Sequence, residues 1–326
     1  MARVRVAVLC GGRTGEHEIS LRSAESIIKG LDPAKYDVQR IFITPQGAWQ
    51  PGPILPEPGA NPGIDVVFPV LHGTFGEDGT VQGLLELADL PYVGCGVLAS
   101  AVSMDKDVLK RLLQQRLLPV VEWVTVTRGN YSVAELTDRF PYPVFVKPAN
   151  LGSSVGISKV NAASELEAAL QLASQFDRKI IVERGIAGRE FECSVMGNAD
   201  PQAAIPCEVL PSRAFYDYED KYLLDTAKTI LPAPLEPAQI EEIRRLAVEA
   251  YQAAGCEGMS RVDFLMEAAT GQLYINEINA IPGFTSISMY PKMWEAAGVP
   301  FPQLLDALIE LALERQREKH ATRYQR

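Results

Sequence analysis

The chain has few of the residues that build disulfide or metal frameworks. Its 326 residues include three histidines and five cysteines. The cysteines, at 10, 95, 193, 207 and 256, are odd in number and form no C-x-x-C pair. That pattern fits reduced thiols and a cytoplasmic protein rather than a disulfide-stapled secreted scaffold. His17, His72 and His320 are too scattered to supply the ligand spacing of a zinc site. No stretch approaches the roughly 18 consecutive apolar residues of a membrane span, so no membrane is expected as a partner. The apolar run at 4–10 is too short for a secretory signal core and stops at Gly11-Gly12. Positive charge is scarce too: 31 Lys and Arg against 41 Asp and Glu leave a net charge of −10. Nucleic-acid binders need clustered cations for phosphate contacts, so none is expected here. The one basic cluster, 315–326, reads as a solvated helix end with a frayed tail.

What is present is an ordinary globular mixture, 47% hydrophobic and 22% charged. A chain of this length buries its own core, in about two domains or three small ones. Residues 4–10, 38–43 and 66–71 read as buried strands, with helices over 20–28, stopped by Gly30, and from about 80 to 88. Strand, loop, helix, repeated, predicts a parallel α/β domain whose functional loops lie at the carboxyl ends of its strands. A helix over 106–117, strands at 121–126, 144–147 and 180–183, and an irregular 128–141 predict a small α+β domain. Ser164-Glu165-Leu166-Glu167 has the capping-box pattern for a helix ending near 176. Strands near 189–197 and 203–209, a helix from Pro237 to Gly255, two strands at 261–267 and 272–279, and a last helix over 303–317 complete a third, mixed unit. The boundaries read as 1–94, 95–186 and 187–326.

Segment 260–279 carries the most chemistry. In Ser260-Arg261-Val262-Asp263-Phe264-Leu265, period-two alternation puts Arg261 and Asp263 on one strand face. In Ile275-Asn276-Glu277-Ile278-Asn279, Glu277 and Asn279 likewise share a face. A three-residue turn at Ala269-Thr270-Gly271 then sets Asp263 opposite Glu277 and Arg261 opposite Asn279. Two facing carboxylates repel unless a cation lies between them. Two carboxylates and an amide oxygen suit Mg²⁺, which takes few protein oxygens when phosphates and water fill its shell. A one-residue slip in register would dismantle the set.

Phe145-Val146-Lys147-Pro148 runs into Gly152-Ser153-Ser154-Val155-Gly156. Small residues let backbone N–H groups approach a polyphosphate, and Lys147 adds a point charge. A Gly/Ser loop alone is more often a plain loop, and no Walker A pattern is present. Gly152 to Gly156 fits G-x-S-x-G as a string, but Pro148 ends the strand early and the only later histidine is His320 in the tail, which argues against a hydrolase elbow. Gly94-Cys95-Gly96-Val97-Leu98-Ala99 matches G-x-G-x-x-A by chance, because no strand ending in an acid follows.

These segments, in this order, resemble the D-alanine–D-alanine ligase family of the ATP-grasp superfamily. The resemblance rests on Gly11-Gly12 through Glu16-His17-Glu18-Ile19-Ser20, His72-Gly73 with Gly76-Glu77-Asp78-Gly79, and Met104-Asp105-Lys106. It continues through the Lys147 and Gly152–Gly156 segment, Phe215-Tyr216-Asp217-Tyr218-Glu219 with Lys221-Tyr222, Arg261-Val262-Asp263, and Asn276 to Asn279 with Pro282-Gly283-Phe284-Thr285-Ser286. It implies an ATP-grasp fold, an N-terminal parallel α/β domain followed by a central α+β and a C-terminal mixed-sheet domain. It implies ATP as co-substrate, two Mg²⁺ (or Mn²⁺), two D-alanines, and a homodimer. Asp263, Glu277 and Asn279 would hold metal. Lys106, Lys147 and Lys221 would contact phosphates, together with the loop of Gly152, Ser153 and Ser154. Glu183, Ile186 and Glu190 would serve adenine and ribose. Glu16 and His72 would bind the first D-alanine, and Ser288 and the Met289 backbone the second. Arg261 and Gly283 would stabilise an oxyanion, and Ser153 and Tyr222 would join Glu16 in orienting the nucleophile. Another ATP-grasp carboxylate–amine ligase, or a D-alanine–D-lactate ligase, is the alternative; Glu16, Tyr222 and Ser288 favour D-alanine twice.

Overall fold

The computed structural model describes residues 2–152, 155–210 and 228–323. Its first sheet holds β1 (Val4–Gly11), β2 (Tyr36–Ile43), β3 (Trp49–Gln50) and β4 (Val66–Pro69) in the order β3-β2-β1-β4. β1 pairs in parallel with β2 and β4, and the short edge strand β3 is antiparallel to β2. Alternation along β1 is sharp. Val6, Val8 and Cys10 enter one core while Ala7 and Leu9 enter another, so the strand is covered on both faces. α1 (His17–Gly30) follows β1 and α2 (Thr80–Leu87) follows the loop after β4. α1 begins earlier than periodicity predicts, at His17 beside Glu16. Gly30 is its last residue rather than its stop, and a Cβ there would lie 2.6 Å from Phe301.

α3 (Val97–Met104), opened at Gly96, and α4 (Lys106–Gln115) lead into the second unit. The fortuitous G-x-G-x-x-A string therefore does open a helix, but only an isolated bridge, Val67 to Tyr92, precedes it. The second sheet is antiparallel, in the order β5-β8-β6-β7: β5 (Trp123–Thr127), β6 (Val144–Pro148), β7 (Ser158–Val160) and β8 (Lys179–Arg184). The stretch read as irregular, 128–141, contains α5 (Val133–Thr137), whose N-cap Ser132 accepts a hydrogen bond from Glu135 N. The expected capping box at Ser164 does not form. A 3₁₀ turn (Ala163–Glu165) precedes α6 (Leu166–Phe176), and Glu165 instead accepts from Asn161 N at 2.8 Å.

The third sheet is built from β9 (Gly188–Gly197), β10 (Gln202–Ala203), β11 (Cys207–Leu210), β12 (Lys228–Ile230), β13 (Gly258–Glu267) and β14 (Leu273–Asn279), in the order β12-β11-β9-β13-β14 with β10 on β9. The strand expected over 203–209 is thus broken in two. α7 (Pro237–Ala253) packs on this sheet, α8 (Met289–Ala296) lies against β9, and α9 (Phe301–Ala321) reaches back to α1 and β4 of the first unit. Phe284 meets Phe68 edge-on at 5.7 Å, joining the two ends of the chain in one core. Of the tail read as solvated and frayed, residues 315–321 are docked helix. Arg315 donates to the carbonyls of Tyr92 (2.8 Å) and Gly94 (2.5 Å), and Lys319 pairs with Glu86. No single described helix is long and apolar enough to cross a membrane.

Candidate active site

The facing carboxylates arise as the alternation requires. Asp263 lies opposite Glu277 and Arg261 opposite Asn279. The route differs from the simple hairpin. Near the turn, Met266 pairs with Leu273 and Glu267 N donates to Gln272 O, so the loop has four residues, Ala268 to Gly271. Gly271 takes the left-handed conformation there, φ 72°. A bulge between Asp263/Glu277 and Phe264/Ile275 inserts Asn276 and shifts the register back. Without it Glu277 would lie opposite the buried Val262 rather than Asp263.

Arg261 grips Asp263 with two hydrogen bonds, Nε to Oδ1 and Nη2 to Oδ2, both 2.7 Å, and also lies 3.3 Å from Glu192. Asn279 Nδ2 donates to Asp263 Oδ2 at 3.0 Å. Across the space, Lys106 Nζ stands 3.6 Å from Glu277 and donates to Leu151 O at 2.8 Å. Among the described residues no three His, Cys, Asp or Glu could hold a metal. Two carboxylates with an amide oxygen still fit Mg²⁺ or Mn²⁺, which completes its shell with phosphate and water. The 3.6 Å Lys106–Glu277 pair shows that Glu277 already faces positive charge here.

A cavity of about 340 Å³ separates the second and third sheets. Lys106, Lys147, Gly152, Glu183, Ile186, Glu190, Asp263 and Glu277 line it. Lys147 and Glu183 project from neighbouring strands β6 and β8, and Lys147 Nζ meets Glu183 Oε1 at 2.8 Å. Glu183 Oε2 meets a second ammonium, that of buried Lys110, also at 2.8 Å. Burial alone would raise the Glu183 carboxyl; Lys110 and Lys147 outweigh it and bring it down to about 2.

Loops of the first sheet lie beside this cavity: His72 lines a separate cavity of about 320 Å³, and Glu77 borders Lys106, Gly152 and Glu277. Glu16 and His72 are buried, and a Cβ on Gly73 would lie 2.9 Å from Glu16 Oε2. Burial lowers the His72 pKa against the opposing charge of Glu16, and its Nε2 has no hydrogen-bond partner. Glu77, assigned no role from sequence, accepts from Gly73 N (2.7 Å) and Ile281 N (3.3 Å), tying the His72-Gly73 loop to the segment before Gly283. Burial, then the charge of Glu16, raises its carboxyl pKa. Gly283 has no room for a side chain: a Cβ would meet Ser288 Oγ at 2.7 Å. Ser288 Oγ accepts from Thr285 N at 3.0 Å, just before the helix that starts at Met289. Ser153, Ser154, Lys221 and Tyr222 lie outside the described residues. Sequence reasoning also passed over Lys110 and Glu192. Lys110 stands one helical turn from Lys106, which was the available signal.

Two sheets enclosing a cavity, with Lys147 on one, Lys106 at the start of the neighbouring helix and metal-suited oxygens on the other, define an ATP-grasp fold. Comparison with known proteins narrows the class. The family described as D-ala D-ala ligase N-terminus matches residues 5–58 and 55–95, and D-ala D-ala ligase C-terminus matches 112–310. A D-alanine–D-alanine ligase of Solibacter usitatus is 68% identical, over 99% of this chain and 100% of that protein. D-alanine–D-alanine ligase A of Escherichia coli K12 is 44% identical over 98% of this chain and 99% of its own. Among solved structures, the D-alanine–D-alanine ligase of Coxiella burnetii superposes with a TM-score of 0.88 at 39% identity, covering 98% of this chain and 97% of that one. VanG D-Ala:D-Ser ligase of Enterococcus faecalis also gives 0.88, at 37% identity, covering 95% of this chain and 100% of that one. The chain belongs to the D-alanine–D-alanine ligase family.

Proposed function

We propose that this protein joins two D-alanine molecules into D-alanyl-D-alanine for peptidoglycan precursor synthesis, with ATP converted to ADP and phosphate. The observation that carries the reading is the convergence of Asp263 and Glu277 opposite Lys106 and Lys147 across one cavity, with Arg261 and Asn279 bonded to Asp263 behind it. Phosphoryl transfer is mostly positioning and charge neutralisation, and these are its parts. Asp263, Glu277 and Asn279 would hold Mg²⁺ or Mn²⁺, which supplies charge neutralisation at the phosphoryl oxygens.

The remaining roles fall to the chain's own residues. Lys106, Lys147 and Lys221 bind phosphate oxygens, with the backbone of the Gly152–Ser154 loop. Glu183, Ile186 and Glu190 border the base and ribose. Glu16 anchors the ammonium of the first D-alanine beside His72, leaving its carboxylate to attack the terminal phosphate of ATP. The acyl phosphate so formed is attacked by the amine of the second D-alanine, whose carboxylate Ser288 and the Met289 backbone receive. Arg261 and the Gly283 N–H stabilise the oxyanion of that tetrahedral intermediate, which collapses with loss of phosphate. Ser153 and Tyr222 act with Glu16 to orient the nucleophile. The protein is taken to work in the cytoplasm as a homodimer of chains divided 1–94, 95–186 and 187–326.

The test is ADP release with Mg²⁺ and ATP, adding D-alanine, L-alanine, or D-alanine with D-lactate or D-serine, with products identified by mass. ADP that appears only with D-alanine, together with the dipeptide mass, supports the reading. A depsipeptide or a D-alanyl-D-serine product formed in preference would redirect it to another ligase. Glu277→Gln should lower kcat at least about 100-fold with an unchanged melting temperature; near-normal turnover would remove Glu277 from the metal site.

A further inference from the structure

Lys110 is the most deeply buried cation of the described residues, with a side chain 2% exposed, and nothing in the proposed reaction uses it. It projects from α4 one turn beyond Lys106. Its Nζ lies 2.8 Å from Glu183 Oε2, 3.4 Å from Val121 O and 5.6 Å from the centre of the Trp123 ring. The other oxygen of the same carboxylate meets Lys147 at 2.8 Å. One carboxylate is thus shared by two ammonium groups, and only Lys147 of the two faces the cavity.

We infer that Lys110 is a positioning residue for the phosphate end of the nucleotide site: it occupies one oxygen of Glu183, so that Lys147 is aimed by the carboxylate without being neutralised by it. The charge balance gives the reason. A lone Lys147–Glu183 pair is neutral and offers a polyphosphate little. Adding Lys110 gives the trio a charge of +1, and its open end is Lys147. Burying three charges is costly unless each has partners, and the carboxylate between two ammonium groups supplies them. The ammonium farthest from the cavity is held against a carbonyl and an indole, out of reach of ligand. Lys110 therefore acts through Glu183 alone.

The inference rests on the ligase reading, since it takes Lys147 to meet ATP phosphates. Its test compares calorimetric binding of ATP and of adenosine, in Mg²⁺, by the full chain. Lys110→Met should weaken ATP about tenfold, the scale of one charge-assisted hydrogen bond lost from the support of Lys147. Adenosine should lose less affinity than ATP, because only the Lys147 side of Glu183 meets phosphate, and the KM for D-alanine should be unchanged. Lys110→Arg, which keeps the cation, should retain most of the ATP affinity. With Glu183→Gln in place, adding Lys110→Met should change ATP binding no further. That comparison also carries the test if Lys110→Met alone does not fold, because the double variant leaves no buried carboxylate unpaired. Equal losses for ATP and adenosine, no loss for either, or a further loss of ATP affinity in the double variant would each overturn the inference while leaving the ligase reading standing. Failure of the unaltered protein to bind ATP would overturn both.

Discussion

Arg261 is held by geometry that only a guanidinium supplies. Its fork matches both oxygens of Asp263 and still reaches Glu192. An ammonium offers no planar fork, so lysine here is not a conservative change. Arg261→Lys would leave Asp263 free to swing towards Asn279, and the donor aimed at the developing oxyanion would be displaced. Loss of one such donor costs about 100-fold to 1,000-fold in kcat. The expected result is that drop in dipeptide formation with a smaller rise in the KM for ATP as Asp263 loses its hold, measured by steady-state ADP release. An equal rise in the KM for ATP would instead mark Arg261 as a phosphate ligand.

At the scale of elements, α4 is the support of the lysine side. Asp105 caps it, accepting from Asp107 N and Val108 N at 3.1 Å each, and meets Lys179 at 2.5 Å. Removal of such a cap costs about 1 kcal/mol. Asp105→Ala should lower stability in denaturant titration by that order and raise the KM for ATP several-fold, because the first turn carries Lys106. If stability falls and the KM does not move, the turn does not position Lys106. The same element shows what sequence could tell. The helix was legible from its apolar spacing, and Lys106 from its neighbours in the Met104-Asp105-Lys106 motif. Lys110 was not, since a lone lysine on a helix reads as solvated until a carboxylate on a distant strand is brought beneath it. The hairpin is the converse case. Alternation of Arg261, Asp263, Glu277 and Asn279 gave the correct facing pairs, but a four-residue loop and the bulge at Asn276 compensate each other. Neither leaves a mark in composition. The docked tail was misread for the same reason: its basic residues look solvated until Glu86 and Asp89, more than 200 residues earlier in the chain, come into range.

That docking ties the whole molecule together, and it sets how stability should respond to acid. α9 returns from the third unit to the first, where Lys319 pairs with Glu86 at 2.6 Å and His320 with Asp89 at 3.0 Å. Burial would raise the Glu86 carboxyl, but hydrogen bonds from Lys319 and Tyr92 outweigh it and the net pKa is lowered. The hydrogen bond from His320 is the largest cause lowering Asp89. A carboxylate lowered in the fold binds its proton more readily once unfolded. Its stabilisation is therefore complete above the ordinary carboxylate pKa and is lost as pH falls through the folded value. Glu183, brought down to about 2, keeps its share until strong acid. Lys319→Met removes one partner of a half-exposed pair, so its cost at neutral pH should be about 1 kcal/mol or less. The difference from the unaltered protein should begin to narrow as pH drops below about 4, where the unfolded chains take up a proton at Glu86, and close once pH has passed the lowered folded value. Denaturant titrations of the two proteins at pH 7 and in acid measure this directly. A gap that persists undiminished at low pH would mean that Lys319 stabilises the docked helix through its packing stem and not through its charge.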